Sequence, residues 1–299
     1  MILPLVCLAA LAQRSLPPTD FAWAEKPARP PAYSAPHKAH TRLAEVRSAH
    51  HREQNWRHPV VDDAYLLAAY VSSAPGTKVA PRFHPETRAW WIVLDGQIRF
   101  TIEGVDPFIA SRGSMVQVPL QTVYAMEVVG NGPALRLEVH IAGARTMYPR
   151  ETPPPPGYVP VKLGRRKGLW GEGNRPHVTF ADMERTAKPD ERGLSVQSVV
   201  RDDRAAVNFI HGSEKNLAPL NPRDKGHYHP ECPEFWLIMA GKMRYAIEGV
   251  GVIIAEEGDL VYVPPFRYHA PRFHGDGPAV RLSMNGYPYI SHLYEDSSR

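Results

Sequence analysis

Cysteine is almost missing from this chain: Cys7 and Cys232 are the only two in 299 residues. A disulfide framework is therefore excluded as the source of its stability, and cysteine usage does not settle the compartment. Long hydrophobic runs are missing too. No stretch of 18 apolar residues occurs, so no membrane-spanning helix is expected. Nor is there a run of five basic residues, and the formal net charge is only +4. A nucleic-acid-binding face has no support from such a charge pattern. The mild positive balance suits a small-molecule substrate of anionic character.

What the chain has is enough apolar material, 43 %, for two ordinary domains. It opens with a short apolar stretch ending in Ala10-Leu11-Ala12. That pattern resembles a secretory signal peptide, although the basic start is missing. Residues 1–20 are read as a candidate signal peptide, which implies a periplasmic or secreted protein, with the cytoplasm as the alternative. Residues 21–60 form an N-terminal arm, rich at first in Pro, Ala and Ser, with an amphipathic helix expected over 42–54. The arm and its border also carry His37, His40, His50, His51 and His58, a second and weaker place to look for a metal.

From about residue 60 the pattern changes to short apolar runs such as AWWIVLDG, QIRFTIEG and ALRLEVHI, separated by Gly, Pro, Asp and Asn. These read as strands joined by tight turns. The run of prolines from Pro153 to Pro156 begins a stiff linker over 151–193. A second strand-rich block follows over 194–299.

The two blocks are copies. Gly96–Gly104 (GQIRFTIEG) aligns with Gly241–Gly249 (GKMRYAIEG). Gly113 aligns with Gly258, Pro119 with Pro264, and His84-Pro85-Glu86 with His229-Pro230-Glu231, always 145 residues apart. A constant offset without a gap marks a tandem duplication. The expected fold class is all-β: two jelly-roll or small-barrel units, the first over 61–150 and the second over 194–299.

The second block contains His227-Tyr-His229-Pro-Glu-Cys-Pro-Glu234, and His269 follows on a later strand. Alternation along a strand sends His227 and His229 to one face. Three imidazoles and a carboxylate suit Fe, Mn, Ni, Cu or Co and leave up to two positions open on an octahedral ion. Open positions are what a catalytic ion needs. Here the chain resembles the cupin superfamily. His227 through Glu234 to Gly241 is similar to its first motif, and Gly258 through Pro264 to His269 to its second. The resemblance covers roughly 60–145 and 195–290, and implies a bicupin of double-stranded β-helix barrels. It also implies one divalent metal ion held by His227, His229, Glu234 and His269. Where the family often has Asn four residues past the last His, this chain has Phe273, and the carry-over stops there.

The first block is the control. At the same offset its four positions are Arg82, His84, Ala89 and Tyr124. One ligand of four survives, so no metal is expected there, and Arg82 and Tyr124 are expected to fill the space. Around the intact site, His211, Arg267, Tyr268, His274 and Arg281 are candidates for proton transfer or for holding a substrate oxygen; Arg272 is a weaker one. Trp236 and Ile238 are candidates for an apolar wall, and Cys232 for a reactive thiol or a packed turn residue. The ligand set points to a mononuclear non-haem oxidoreductase, dioxygenase-like, acting on a small organic substrate. Metal-dependent decarboxylase, lyase or isomerase chemistry is the alternative, followed by a non-catalytic small-molecule- or metal-binding module. A homo-oligomer is compatible with the sequence and is not specified by it.

Overall fold

The computed structural model describes residues 19–166, 170–171 and 173–296. The candidate signal peptide falls almost wholly outside these. The chain runs through β1 (His40–Thr41), α1 (Leu43–Ala49), β2 (Trp56–Asp62), β3 (Leu66–Ser73), β4 (Lys78–Arg82), β5 (Ala89–Asp95), β6 (Gln97–Ile102), β7 (Val105–Ser111), β8 (Met115–Val118), β9 (Tyr124–Val129) and β10 (Ala134–Ile141). The second half repeats the plan with β11 (His177–Val178), α2 (Phe180–Thr186), β12 (Ser195–Arg201), β13 (Ala206–Ser213), β14 (His227–Tyr228), β15 (Glu234–Ala240), β16 (Lys242–Ile247), β17 (Gly251–Glu256), β18 (Leu260–Val263), β19 (His269–His274), β20 (Pro278–Asn285) and β21 (Leu293–Tyr294).

These strands make four antiparallel sheets, two per barrel. The first barrel faces a sheet in the order β11-β8-β5-β10-β3-β2 with one in the order β4-β9-β6-β7. The second faces β1-β18-β15-β20-β13-β12 with β17-β16-β19-β14-β21. Each barrel has its own interior: Trp91, Phe100 and Val116 in the first, Trp236, Tyr245 and Val261 in the second. A third apolar cluster lies between the large sheets and takes Trp90, Ile92 and Val139 from one side and Phe235, Leu237 and Leu282 from the other. This explains why AWWIVL and FWLIMA are continuously apolar rather than alternating. Both faces of β5 and β15 are buried, one in a barrel and one between the barrels.

The expected helix over 42–54 is only α1, which stops at Ala49. The stretch read as a linker, 151–193, contains β11 and α2. The segment ahead of each barrel adds a strand to the other barrel. β1 pairs with β18 of the second barrel, and β11 pairs with β8 of the first. Val46 of α1 and Met183 of α2 are both buried between the barrels. Gly96 and Gly241 occupy equivalent turns at φ +72° and +68°, and a Cβ on either would lie 2.6 or 2.5 Å from a proline carbonyl oxygen. No side chain fits there.

Candidate metal centre

The site is built from strand beginnings. His227 lies on β14 with His229 just beyond it, Glu234 is the first residue of β15 and His269 the first of β19. β14 and β19 pair with His227 opposite His269. The close approach depends on Gly226, at φ +72°, where a Cβ would sit 2.0 Å from the His269 carbonyl oxygen. One ligand atom from each of the four side chains falls within 4.8 Å of the others, and three of the four residues are buried.

Two of the rings are oriented from behind. His229 Nδ1 is 2.7 Å from the Ser291 carbonyl oxygen and donates to it. His269 Nδ1 donates likewise to the Arg267 carbonyl at 2.9 Å. Both rings therefore turn an Nε2 lone pair toward the centre, the arrangement that metal-ligating histidines adopt. His269 Nε2 is buried and has no hydrogen-bond partner. His229 Nε2 lies 2.9 Å from Glu234 Oε2, so a lone pair would face a carboxylate unless a positive charge sits between them. Ser283 donates a hydrogen bond to the other oxygen, Oε1, and fixes the carboxylate.

The electrostatics agree with that need. Burial by itself pushes the Glu234 carboxyl up, but the His229 and His269 imidazoles beside it hold it well below the ordinary value of 4.5. Burial pulls His229 down, and Glu234 more than offsets this, so that its value is raised. The pair thus asks for one positive charge at the centre, a proton or a cation. His227 is drawn down to about 3 by burial and then by the neighbouring His269, so it stands neutral with a free lone pair. The donor set fits a divalent transition ion.

A cavity of about 590 Å³ opens from this cluster, walled by Trp236, Arg281, Asn285 and the C-terminal stretch Tyr287–Ile290. Trp236 is 5.2 Å from the His269 ring, centre to centre. Ile238, the other expected wall residue, packs deeper in the barrel core. Arg281 lines the cavity as expected, and its Nε is buried without an acceptor.

The remaining candidates lie elsewhere. Ala206, Asn208 and Ile210 of β13 line the cavity, which puts His211 on the opposite face of that strand. Arg267 donates to the carbonyls of Glu248 and Pro31 and packs over Tyr33, so it anchors the arm. Tyr268 stacks edge-on against Tyr228 outside the barrel. His274 sits 3.4 Å from Glu214 at the surface, and Arg272 donates to the Ala218 carbonyl. Cys232 is buried, and burial pushes its thiol up to about 12. A thiol so far from ionising is a packed turn residue. Of the arm histidines, His37 stacks on Tyr262, His40 binds Asp259, and His50 and His58 meet at 3.4 Å, a pair rather than a group of three or more. Among the described residues the one cluster suited to a metal is that of the second barrel.

Sequence reasoning missed His292, Ser283 and Asn285. His292 stands at the mouth, its ring 4.7 Å from those of His227 and His229. It arrives there because β21 pairs with β14, which no local pattern reveals. Ser283 and Asn285 were within reach, since Arg281, Ser283 and Asn285 alternate along β20 and share a face.

Residues 69–140 and 216–285 match the family model for the cupin domain. No curated protein matches the chain. Among solved structures it is similar to salicylate 1,2-dioxygenase from Pseudaminobacter salicylatoxidans, with 11 % identity over 86 % of this chain and 88 % of that one and a TM-score of 0.64. It is also similar to a variant of oxalate decarboxylase from Bacillus subtilis, with 14 % identity over 88 % and 80 % of the two chains and a TM-score of 0.52. A cupin 2 conserved barrel domain protein from Leptotrichia buccalis shares 11 % identity over 77 % and 88 %, with a TM-score of 0.52. At these identities the likeness is one of fold.

Proposed function

We propose that this two-domain cupin is a mononuclear non-haem oxidoreductase of dioxygenase type, with a small organic anion as substrate and its metal held by His227, His229, Glu234 and His269. The observation that carries the reading is Arg281. Its Nε is buried beside the cluster with no acceptor, and burial pulls its pKa down from the ordinary arginine value. A guanidinium left in that state is costly, and an anionic group on a ligand offsets the cost. Asn285 Nδ2, also buried and unpaired, offers a second donor on the same strand face.

A divalent ion at the cluster supplies Lewis acidity and redox capacity at the positions that the four side chains leave open. The protein does the rest. His229 and His269 present Nε2 lone pairs, Ser283 fixes the Glu234 carboxylate, Arg281 binds and orients the substrate's charge, and Trp236 walls off water. Among the described residues Glu234 is the one acidic residue lining the cavity, and it is engaged by Ser283. A decarboxylase needs a proton donor for the carbanion it creates, and no carboxylic acid is free for that work. This favours oxidation. The second reading, decarboxylase, lyase or isomerase chemistry, draws support from His292, an imidazole at the mouth that could deliver a proton. Fold does not choose, because similar folds carry a salicylate 1,2-dioxygenase and an oxalate decarboxylase. The substrates in both names are carboxylates, which agrees with the role given to Arg281.

The test is oxygen uptake by protein loaded in turn with Fe, Mn, Ni and Cu, against a panel of small carboxylates, enols and phenols. Uptake is expected with one pairing, lost in His269→Ala, and with KM raised about 10–100-fold in Arg281→Met, as removal of a charge-assisted hydrogen bond implies. Turnover at the same rate without oxygen would overturn the oxidoreductase reading and favour the lyase class.

A further inference from the structure

The first barrel has lost the metal set but not its cavity. About 340 Å³ remain, lined by Arg82, His84, Tyr124, Arg136, Glu138 and His140 among others. The expectation that Arg82 and Tyr124 would fill the vacated space holds only for Tyr124, whose hydroxyl lies 3.4 Å from His84 Nε2. The Arg82 side chain turns to the Ala80 carbonyl, bonding through Nε, and packs against the Tyr148 ring.

The charges in this cavity define what it can hold. Glu138 accepts from Arg57 at 2.7 Å, from Trp91 Nε1 at 3.1 Å and from Arg136 at 3.2 Å. Burial alone would push its carboxyl up, but His140, Arg136 and Arg57 together hold it well below the ordinary range. Glu138 is thus a carboxylate whose charge is fully used. His84 donates from Nδ1 to the Arg145 carbonyl at 2.8 Å, and burial keeps its ring neutral. Two arginines, Arg82 and Arg136, line the cavity beside that one carboxylate, which Arg57 also engages from outside the cavity. A cation has no place in such a site, whereas an anion offsets the excess. Arg82 has no acid partner, and among the described residues its terminal nitrogens bond to no protein acceptor. Arg136 occupies the position equivalent to Arg281 of the second barrel, 145 residues on.

We propose that the first barrel is a metal-independent binding site for a small organic carboxylate, held between Arg82 and the Arg136–His140 wall. The cavity is at the small end of ligand sites, roughly 300–1,000 Å³, so the ligand is an acid of few carbons or a single ring. This goes beyond the function proposed for the second barrel and does not depend on it.

The experiment uses the full-length chain carrying His229→Ala and Arg281→Met, which remove metal binding and the anion donor from the second barrel, and titrates it calorimetrically with acetate, malonate and benzoate. Saturable binding of at least one of them is expected. Its Kd should rise about tenfold or more in Arg82→Ala, the loss expected for a charge-assisted contact. Circular dichroism on each variant establishes that the fold is kept. Absence of saturable binding, or indifference to Arg82→Ala in folded protein, would overturn the assignment.

Discussion

Glu234 shows how much one side chain organises here. It offers one oxygen to Ser283 and the other to the space between His229 and His269. Replacing it by Ala removes the anion and leaves three imidazoles converging on a void. Metal content measured by mass spectrometry on natively purified protein should fall below a tenth of wild type in Glu234→Ala. Ser283→Ala makes a sharper test, because Ser283 is not a ligand. Loss of a group that orients a ligand costs about 10–100-fold in metal affinity, and a chelator competition should read that weakening with the fold intact. Full affinity in Ser283→Ala would mean that the Glu234 carboxylate needs no such support. The motif residues of this site were legible from their spacing together with the family resemblance, whereas Ser283 required knowing which face of β20 turns inward. Arg267, close to His269 in sequence, belongs to another surface because it lies ahead of β19, just past the turn that Phe266 makes at φ +62°, where no strand alternation ties its direction to that of His269.

At the scale of elements, the informative part is the arm. Asp259, between β17 and β18, accepts from His40 at 2.8 Å, from the Leu43 amide at 3.0 Å and from the Glu256 amide at 3.1 Å. It pins β1 and the start of α1 onto the second barrel, although the arm is continuous with the first. Burial alone would push the Asp259 carboxyl up, but His40 and the two amides outweigh it and hold it below the ordinary 3.8. A group whose folded value is depressed contributes stability above its unfolded value and loses it as pH falls through the folded value. Asp259→Ala should therefore cost about 1–3 kcal/mol at neutral pH, the range for stranding buried donors. The gap to wild type in thermal melts should close below about pH 4. The first amides to gain exchange in the variant should be those of β1 and β18, not those of β2. Equal protection at β1 in both proteins would show that the arm is held by packing alone. The sequence contained a sign of this arrangement. His40–Val46 and His177–Met183 are a second pair of copies, 137 residues apart, but the changed offset hides them from a search at 145. Hence the segment over 151–193 read as a linker, though it contributes a strand and a helix.

For the whole molecule, two barrels share one apolar layer, so their stabilities are coupled. Metal at the second barrel should raise the melting temperature of the entire chain. Binding at 100 times Kd adds about 2.7 kcal/mol, which for a chain of this size corresponds to a few degrees. Chelation should lower the midpoint of a single transition, and restoring the ion should recover it. Two separate transitions, only one of them metal-sensitive, would show that the shared layer does not couple the barrels.

The amino-acid sequence by itself determined the duplication, the all-β class and the four converging residues. Each depends on short-range rules: period-two alternation, glycine where a turn demands positive φ, and fixed spacing between chemically distinctive side chains. Only the tertiary structure decided which barrel each flanking segment joins, that His292 returns to the mouth through β21, and that Glu138 of the vacated cavity is engaged by Arg57 and Arg136. Those outcomes follow from contacts between residues far apart in the chain. Glu138 and Arg57 are 81 residues apart and meet only because β10 and β2 both flank β3. No local pattern encodes a neighbour brought in from that distance; the packing of the sheets chooses it.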